Sequence, residues 1–518
     1  ELLSEREHVR LRTQIFLGSM KPTTYRIPIF VNGGVQIREV EFIPAIYKAV
    51  GEILDNSIDE FAQSSGRKRL TIEATPATGH YVVQDNGRGI PIGKHATGKF
   101  TPEIALGSLR AGRNFGSDKE EGVIGQNGVG SACTNYCSEL FNITIHRDNK
   151  VYEQSFRNGA DKISKPKISD KPTTAAVRGT KVDFVLDPAV FDNVALPDDM
   201  VQNRALEIAM TNPSVTVDYN GHIYRCTGGM SEVVRSIVQG DSSLVEMDDD
   251  ATRSATAFEA THNGSSLEFH VILGVNDSID EQIFTWVNSS LLFDGGICNT
   301  QFMNALIDRT LVHLAPAAKK AKVEITKNDV RQGLLVLGNL KLSDPEYDAQ
   351  SKTRLTGPNL RLPISKMVEE CWPAFSKKNK RWLEIVMERA MVRYHTRANK
   401  EAIKDHQKGM RKKVPGLIDA NSTNRFECQI LITEGDSAAA SITNARNTNT
   451  TASLPLSGKV NNVYGTTPAQ VLSMGKMTNL LSAIGLTPGR RAMRSELRYG
   501  RVVIATDADY DGSDIFTL

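Results

Sequence analysis

Among the six cysteines, at 133, 137, 226, 298, 371 and 428, there is no Cys-x-x-Cys pair. Cys133 and Cys137 are spaced one helical turn apart, but no nearby His or Cys completes a four-ligand zinc set. Buried thiols in a reducing compartment are therefore expected. No apolar run reaches the roughly eighteen residues needed to span a bilayer, and nothing at the start has the pattern of a signal peptide. A membrane protein is excluded on that reading and a cytoplasmic one expected. Charge of either sign is not in excess: 62 Lys and Arg face 60 Asp and Glu, a net +2, so any nucleic-acid surface must be local. What is there is ordinary globular material, 40% apolar and 24% charged over 518 residues, long enough for roughly three or four domains. The first residue is Glu1 rather than Met, and a short preceding piece is expected.

The most informative stretch is Tyr47 to Phe61. Ala45, Ile46, Ala49, Val50, Ile53, Leu54 and Ile58 recur at helical spacing and predict an amphipathic helix with one buried stripe. Glu52, Asn56 and Asp59 then fall on one line beside that stripe. An amide oxygen one turn from a carboxylate suits a hard cation next to a general base. A plain solvated face is the competing reading.

β-formers at 69–74 and 80–84 flank the turn Thr75-Pro-Ala-Thr-Gly79 and lead into Asp85-Asn-Gly-Arg-Gly-Ile-Pro91. An acid at a strand end followed by alternate glycines lets backbone approach a planar ligand whose exocyclic amine the carboxylate accepts. Alone, such a string is most often a turn. Gly125-Gln-Asn-Gly-Val-Gly130 runs into a helix start at Ser131, an arrangement of N–H groups suited to phosphates. It is not a Walker loop, because no Gly-Lys-Ser/Thr follows, and it lacks the strand–turn–helix setting of a Rossmann fingerprint. Strands are expected at 142–146, 151–156 and 181–186, the last opened by Arg178-Gly-Thr180.

Taken in this order, the parts resemble the GHKL (Bergerat) ATPases, the family of the ATPase domains of gyrase, Hsp90 and MutL and of histidine kinases. The resemblance implies ATP and Mg²⁺ as cofactors, with Glu52 as general base and Asn56 as Mg²⁺ ligand. It puts Asp85 on the adenine amine with Gly89, Ile90 and Thr180 close by. It wraps the phosphates with Asn114, Gly125, Gln126, Asn127, Gly128, Val129 and Gly130. Histidine kinases lack the glutamate, so Glu52 implies hydrolysis rather than transfer to a histidine.

A helix is expected over 199–211 and a strand over 215–219. Beyond about Gly228, strands are expected at 267–273 and 284–287, a helix over 299–314, an extended piece at 323–326 and a buried strand within 333–342. The polar stretch Asp344 to Leu355 follows and resembles the Gln-Thr-Lys loop of type IIA topoisomerases, with Ser351 at the threonine position. By that resemblance Lys352 reaches the γ-phosphate and Gln350 assists. Asn288 and Asp294-Gly-Gly296 are similar to the transducer of the same family. Lys366 to Lys413 reads as a helical connector interrupted at Trp372-Pro373, with basic clusters that are either solvated or near DNA phosphates.

From Glu427 a new α/β domain is expected. A strand at 429–433 ends in Glu434-Gly-Asp-Ser, and one at 502–506 ends in Asp507-Ala-Asp-Tyr-Asp-Gly512. Carboxylates at the ends of adjacent parallel strands repel unless a cation lies between them. An EF-hand is excluded, since its twelfth position falls on Leu518. The combination resembles the TOPRIM pattern, and Leu454 to Val463 is similar to its Pro-Leu-x-Gly-Lys-x-x-Asn-Val segment, with Ser457 where Arg or Lys is more common. The resemblance assigns Mg²⁺ to Glu434, Asp507 and Asp509, a supporting metal role to Asp511, a catalytic share to Glu434, and DNA contacts to Lys459 and Asn462.

The expected fold class is α/β multidomain: a GHKL ATPase α/β sandwich at 1–228, an S5-like transducer at 229–366, a helical connector at 367–422 and an incomplete, Rossmann-like TOPRIM domain at 423–518. This layout resembles the ATPase subunit of type IIA DNA topoisomerases. Asn114-Phe-Gly116, Asn127-Gly-Val-Gly130 and Leu497-Arg-Tyr-Gly500 are similar to the large subunit of the T-even-like bacteriophage enzymes, which implies the host cytoplasm. The resemblance implies ATP-gated passage of double-stranded DNA, homodimerisation through the ATPase domains, and a breakage-reunion subunit or domain carrying the cleaving tyrosine. Two rivals remain: a mismatch-repair or chaperone-like GHKL ATPase, which has no reason to carry TOPRIM carboxylates, and a clamp that only holds ATP.

Overall fold

The computed structural model describes residues 3–31, 34–109, 129–174, 177–240, 256–273, 281–409 and 413–506. The chain forms two compact units, one of residues 1–316 and 326–386, the other of 317–325 and 387–518.

The first unit contains two large sheets. The nine-stranded one runs, in spatial order, His222–Tyr224, Val215–Tyr219, Lys68–Thr75, His80–Asp85, Gly179–Leu186, Ser138–Arg147, Lys150–Arg157 and Lys162–Ile163, with Lys167–Asp170 also on Lys150–Arg157. Its strands alternate buried and exposed positions, as expected of a sheet with one covered face. Helices Pro44–Gln63, Gly130–Tyr136 and Asp198–Thr211 pack against it. Pro44 occupies the first turn of its helix, where the missing N–H has no partner to lose. The predicted stripe from Ala45 to Ile58 is buried throughout.

The five-stranded sheet runs Thr256–His262, Ser265–Leu273, Leu334–Lys341, Gln282–Val287 and Ser290–Leu291. The nearly continuous apolar strand Leu334–Lys341 is central, antiparallel to Ser265–Leu273 and parallel to Gln282–Val287. Helix Ile297–Ala321 is longer at both ends than expected. Residues 323–326 form no strand and lead into the Thr326–Asp329 capping box of a short helix. Trp286, Leu291 and Leu337 of this sheet belong to the same hydrophobic cluster as Ile46 and Val50 of helix Pro44–Gln63 and Ile208 of helix Asp198–Thr211. The two sheets therefore share a core.

The connector departs from expectation. Helix Arg361–Lys378 runs through Trp372 and Pro373 without a break, and the interruption falls at Asn379. Trp372 is buried against Phe375 and His313, which holds the helix across the proline. The fully buried Asn379 takes a non-helical backbone, and its amide donates to the Phe375 carbonyl (2.9 Å) and the Thr256 hydroxyl (3.1 Å). Helix Lys380–Gly409 follows.

In the second unit, Gln429–Thr433 is the centre of a three-stranded parallel sheet between Thr451–Pro455 and Arg501–Ala505. Its core gathers Cys428, Ile430, Ala452, Leu454 and Tyr499. No helix among the described residues is long and apolar enough to cross a membrane.

Candidate functional site

The polar face of the Pro44–Gln63 helix is solvated only in part, with Asp59 half-buried. Glu52 is 7% exposed and Asp55 3%, while Asn56 is exposed. The first turn of helix Gly130–Tyr136, where the glycine string ends, lies directly over them. The Asn56 amide donates to the Ser131 hydroxyl (2.6 Å), and the Thr134 hydroxyl to the Ala49 carbonyl (2.9 Å). A Cβ at Gly130 would stand 1.7 Å from Glu52 Oε2, so only glycine allows this approach. On its other side Glu52 is paired with Lys48, one turn earlier, at 2.5 Å. Burial works to raise the Glu52 carboxyl, but Lys48 and Lys352 outweigh it and hold it below the usual range. The carboxylate is thus ionised and fixed on both sides.

Asp85 ends its strand 5% exposed. Its Oδ1 accepts from the Gly87 N–H (2.7 Å) and the Thr180 N–H (3.4 Å), yet burial pushes the carboxyl up to about 7. The backbone is drawn tightly around it. A Cβ at Gly179 would lie 2.0 Å from the Asp85 carbonyl oxygen, and one at Gly87 2.3 Å from Glu60 Cγ. Gly89 is left-handed (φ 76°), and its carbonyl accepts from Arg147 (2.7 Å). Ile90 follows it, half-buried against the core. A close backbone cradle around one buried carboxylate fits a planar heterocycle with an exocyclic amine.

Lys352 is the third party. It is 7% exposed, in a left-handed backbone (φ 58°), within the loop between the paired strands Glu346–Tyr347 and Leu355–Gly357. Burial and the neighbouring Lys48 ammonium lower its pKa, against the pull of Glu52, Asp55 and Asp59. Lys352 and Glu52 are therefore within electrostatic reach of one another, although 300 residues separate them in sequence. Gln350 is half-buried in the same loop.

Several neighbours escaped the sequence reading. Lys48 was discoverable from its i, i+4 spacing to Glu52. Glu60 accepts from both the backbone (2.8 Å) and the guanidinium (2.8 Å) of Arg88, which fixes the turn after Asp85. Arg204 meets Asp55 at 2.9 Å inside the core, and no sequence pattern announces that pair. Asn114 and Gly125, Gln126, Asn127 and Gly128 lie outside the described residues, whereas Val129 and Gly130 are at the site.

In the second unit, Glu434 follows the central strand and is half-buried. The parallel register pairs Thr433 with Ala505, which aims the chain after each strand at one end of the sheet. Asp507, Asp509 and Asp511 lie outside the described residues. The Gly458 N–H donates to the Glu434 carbonyl (3.0 Å), bringing the 454–463 loop onto it. Lys459 and Asn462 are exposed there, and Asn462 Oδ1 accepts from the Tyr464 N–H (2.9 Å). Lys476, unremarked in sequence, donates to the Ser457 carbonyl (2.8 Å) and adds an exposed ammonium to this loop.

Family models match three consecutive stretches: a histidine kinase-, DNA gyrase B- and HSP90-like ATPase over residues 43–189, DNA gyrase B over 229–406, and a Toprim domain over 429–517. The B subunit of DNA topoisomerase 4 from Mycoplasma capricolum is 30% identical over 491 residues, 91% of this chain and 74% of that protein. The chain belongs to the type IIA topoisomerase B-subunit family. The type 2 topoisomerase B subunit of Aquifex aeolicus is 29% identical over 99% of this chain, which spans 62% of that protein. The gyrase B subunit of Thermotoga maritima is 29% identical over 91% of the chain and 75% of its own length. The fold is shared with the ATPase and transducer domains of Balamuthia mandrillaris topoisomerase II (TM-score 0.61, 22% identity, 76% of this chain and 98% of that one). It is shared also with the 43K ATPase domain of Thermus thermophilus gyrase B (TM-score 0.54, 21% identity, 76% and 97%). The Toprim match sets this B-subunit-like chain apart from mismatch-repair and chaperone GHKL ATPases.

Proposed function

We propose that this chain hydrolyses ATP to drive passage of one DNA duplex through a transient break in another, as the ATPase subunit of a type IIA topoisomerase. The observation that carries the reading is that buried Lys352 lines one small cavity with Lys48, which is itself paired with Glu52 at 2.5 Å. The loop between Glu346–Tyr347 and Leu355–Gly357, which follows the five-stranded sheet in the chain, thus reaches the Pro44–Gln63 helix that packs on the nine-stranded one. In this reading Asp85 accepts the adenine amine, with Gly89, Ile90 and Thr180 lining the base. Glu52, ionised and held between Lys48 and Gly130, takes a proton from the attacking water. Lys352, with Gln350, brings positive charge to the phosphoryl oxygens, where positioning and charge neutralisation supply most of the catalysis. Asn56 would hold Mg²⁺ through its amide oxygen, since its NH₂ is turned to Ser131. That ion, when bound, neutralises phosphate charge.

Glu434 with Asp507, Asp509 and Asp511 would hold Mg²⁺ beside the scissile phosphate, and Lys459 and Asn462 would contact DNA. The cleaving tyrosine is assigned to a breakage-reunion subunit, and ATP binding to dimerisation through the ATPase domains. The domain limits 1–228, 229–366, 367–422 and 423–518 belong to the same reading. So does the closeness to the phage-encoded large subunit, with action in a host cytoplasm, which rests on Asn114-Phe-Gly116, Asn127-Gly-Val-Gly130 and Leu497-Arg-Tyr-Gly500 alone; the B subunits named above come from Mycoplasma capricolum, Aquifex aeolicus and Thermotoga maritima.

Glu52→Ala tests the core of the proposal. It should bind a non-hydrolysable ATP analogue as the parent does and lose turnover by about 10²–10⁴-fold, the usual worth of a positioned base. Turnover at the parental rate would sink the assignment.

A further inference from the structure

We infer that Arg204 is a positioning residue that ties the orientation of the Glu52 helix to the transducer-side sheet. Arg204 projects from helix Asp198–Thr211 and is 4% exposed. One guanidinium nitrogen donates to Asp55 Oδ1 (2.9 Å), on the helix of Glu52 and next to Asn56. The other donates to the backbone carbonyl of Ser289, in the turn between strands Gln282–Val287 and Ser290–Leu291. That turn is built for holding: Asn288 and Ser289 are both left-handed (φ 47° and 70°) although neither is glycine. The Ser289 hydroxyl accepts from Asn212, just past the end of the Arg204 helix (2.8 Å).

The chain of contacts closes on the active site. Asn288 accepts from the Leu342 N–H (2.8 Å) and donates to the Leu342 carbonyl (3.0 Å). Leu342 directly follows the central strand and precedes the loop that carries Lys352. Lys352 returns to the neighbourhood of Glu52, and one cavity of about 40 Å³ is lined by Lys48, Asp55, Arg204, Leu291 and Lys352. Arg204 and Lys352 thus meet the helix around one cavity, Arg204 through its bond to Asp55. Glu207 completes the buried cluster, 3.7 Å from Arg204 and 1% exposed. Asn203 donates to it (2.8 Å) and also bonds the Phe30 N–H (3.0 Å).

A planar guanidinium can serve a carboxylate and a carbonyl in two directions at once, which a single ammonium at the same place cannot. If the Arg204 bonds to Asp55 and Ser289 set how the helix stands against the second sheet, their loss misplaces Glu52 without touching the groups around Asp85. The expected signature is a fall in kcat with KM for ATP little changed. This inference rests on Glu52 being the base.

The test uses the full chain. Replacing the charged pair by apolar groups, Asp55→Leu with Arg204→Met, is often neutral for folding, whereas removing one partner strands a buried charge; melting is read below pH 7, where Glu207, pushed up to about 7 by burial even beside Arg204, is protonated and keeps its bond from Asn203. The double variant should melt near the parent yet turn over ATP roughly 10–100-fold more slowly, the cost of about an ångström of misplacement. Amide hydrogen exchange over residues 284–292, responsive to a non-hydrolysable ATP analogue in the parent, should no longer respond. Arg204→Lys keeps the charge on Asp55 and should show the same split in milder form. Parental kcat and a parental exchange response in either folded variant overturn the inference. Glu52→Ala run in parallel separates the two claims, because persistent hydrolysis there defeats the base assignment and not the relay.

Discussion

Asp85 carries a pH dependence of its own. Burial lifts its carboxyl from 3.8 to about 7, so ionisation opposes the nucleotide-free fold. By linkage its contribution to stability is intact below about pH 4 and is lost as pH rises through about 7, a cost of order 4 kcal/mol at most. Glu207 shifts in the same direction, also to about 7, and adds to the same window. Asp85→Asn removes the first of these costs. The variant should melt higher than the parent at pH 8, with the gap closing toward pH 4, and its weakened ATP affinity should not vary with pH. The parent should bind ATP less well as pH falls below about 7, where the acceptor is protonated. An equal melting gap at pH 4 and pH 8 would rule this out. At this scale the sequence marked Asp85 through its glycines. It could not mark Glu60, whose bond to Arg88 joins a helix face to a loop 28 residues away.

Among the elements, the Pro44–Gln63 helix and the turn that begins at Gly130 act as one piece. With Lys48 on one side of the Glu52 carboxylate and Gly130 on the other, there is no room to add an atom. Gly130→Ala should therefore displace the Glu52 side chain, since Oε2, Cδ and Cγ would all lie within 2.7 Å of the new methyl. ATP turnover should fall toward the Glu52→Ala level. Overpacking should lower stability by about 1–3 kcal/mol, partly offset by alanine's better helix propensity. Rates within a factor of two of the parent would show that Glu52 is not held there. Elsewhere the elements answered to packing rather than to local signals. Pro373 predicts a break, but a buried Trp372 keeps the helix continuous and the break moves to Asn379.

On the scale of the molecule, the nine-stranded sheet and the five-stranded sheet lie in one compact unit with a shared core, and the Toprim strands lie in the other. Sharing a core lets a change around Glu52 reach the second sheet through packed side chains. If the chain works as proposed, a non-hydrolysable ATP analogue should convert it from monomer to dimer in sedimentation. It should relax supercoiled DNA only once a breakage-reunion subunit is added. Relaxation by the isolated chain would refute the division of labour, and a monomer at saturating analogue would refute the gate.

The sequence by itself determined the local chemistry. Periodicity set the buried stripe of the Glu52 helix, the glycines marked where backbone closes on Glu52 and Asp85, and apolar runs located both central strands. These signals are local, because each follows from the spacing of residues within a few turns. Only the tertiary structure decided that Glu52 and Asp55 on that helix are buried while Asn56 stays exposed, that Lys352 comes back to Glu52, and that Arg204 joins Asp55 to Ser289. Those contacts span from 85 to 300 positions in the chain. Their partners are chosen by how sheets and helices stack, and nothing in the spacing of one segment encodes the face another will present to it.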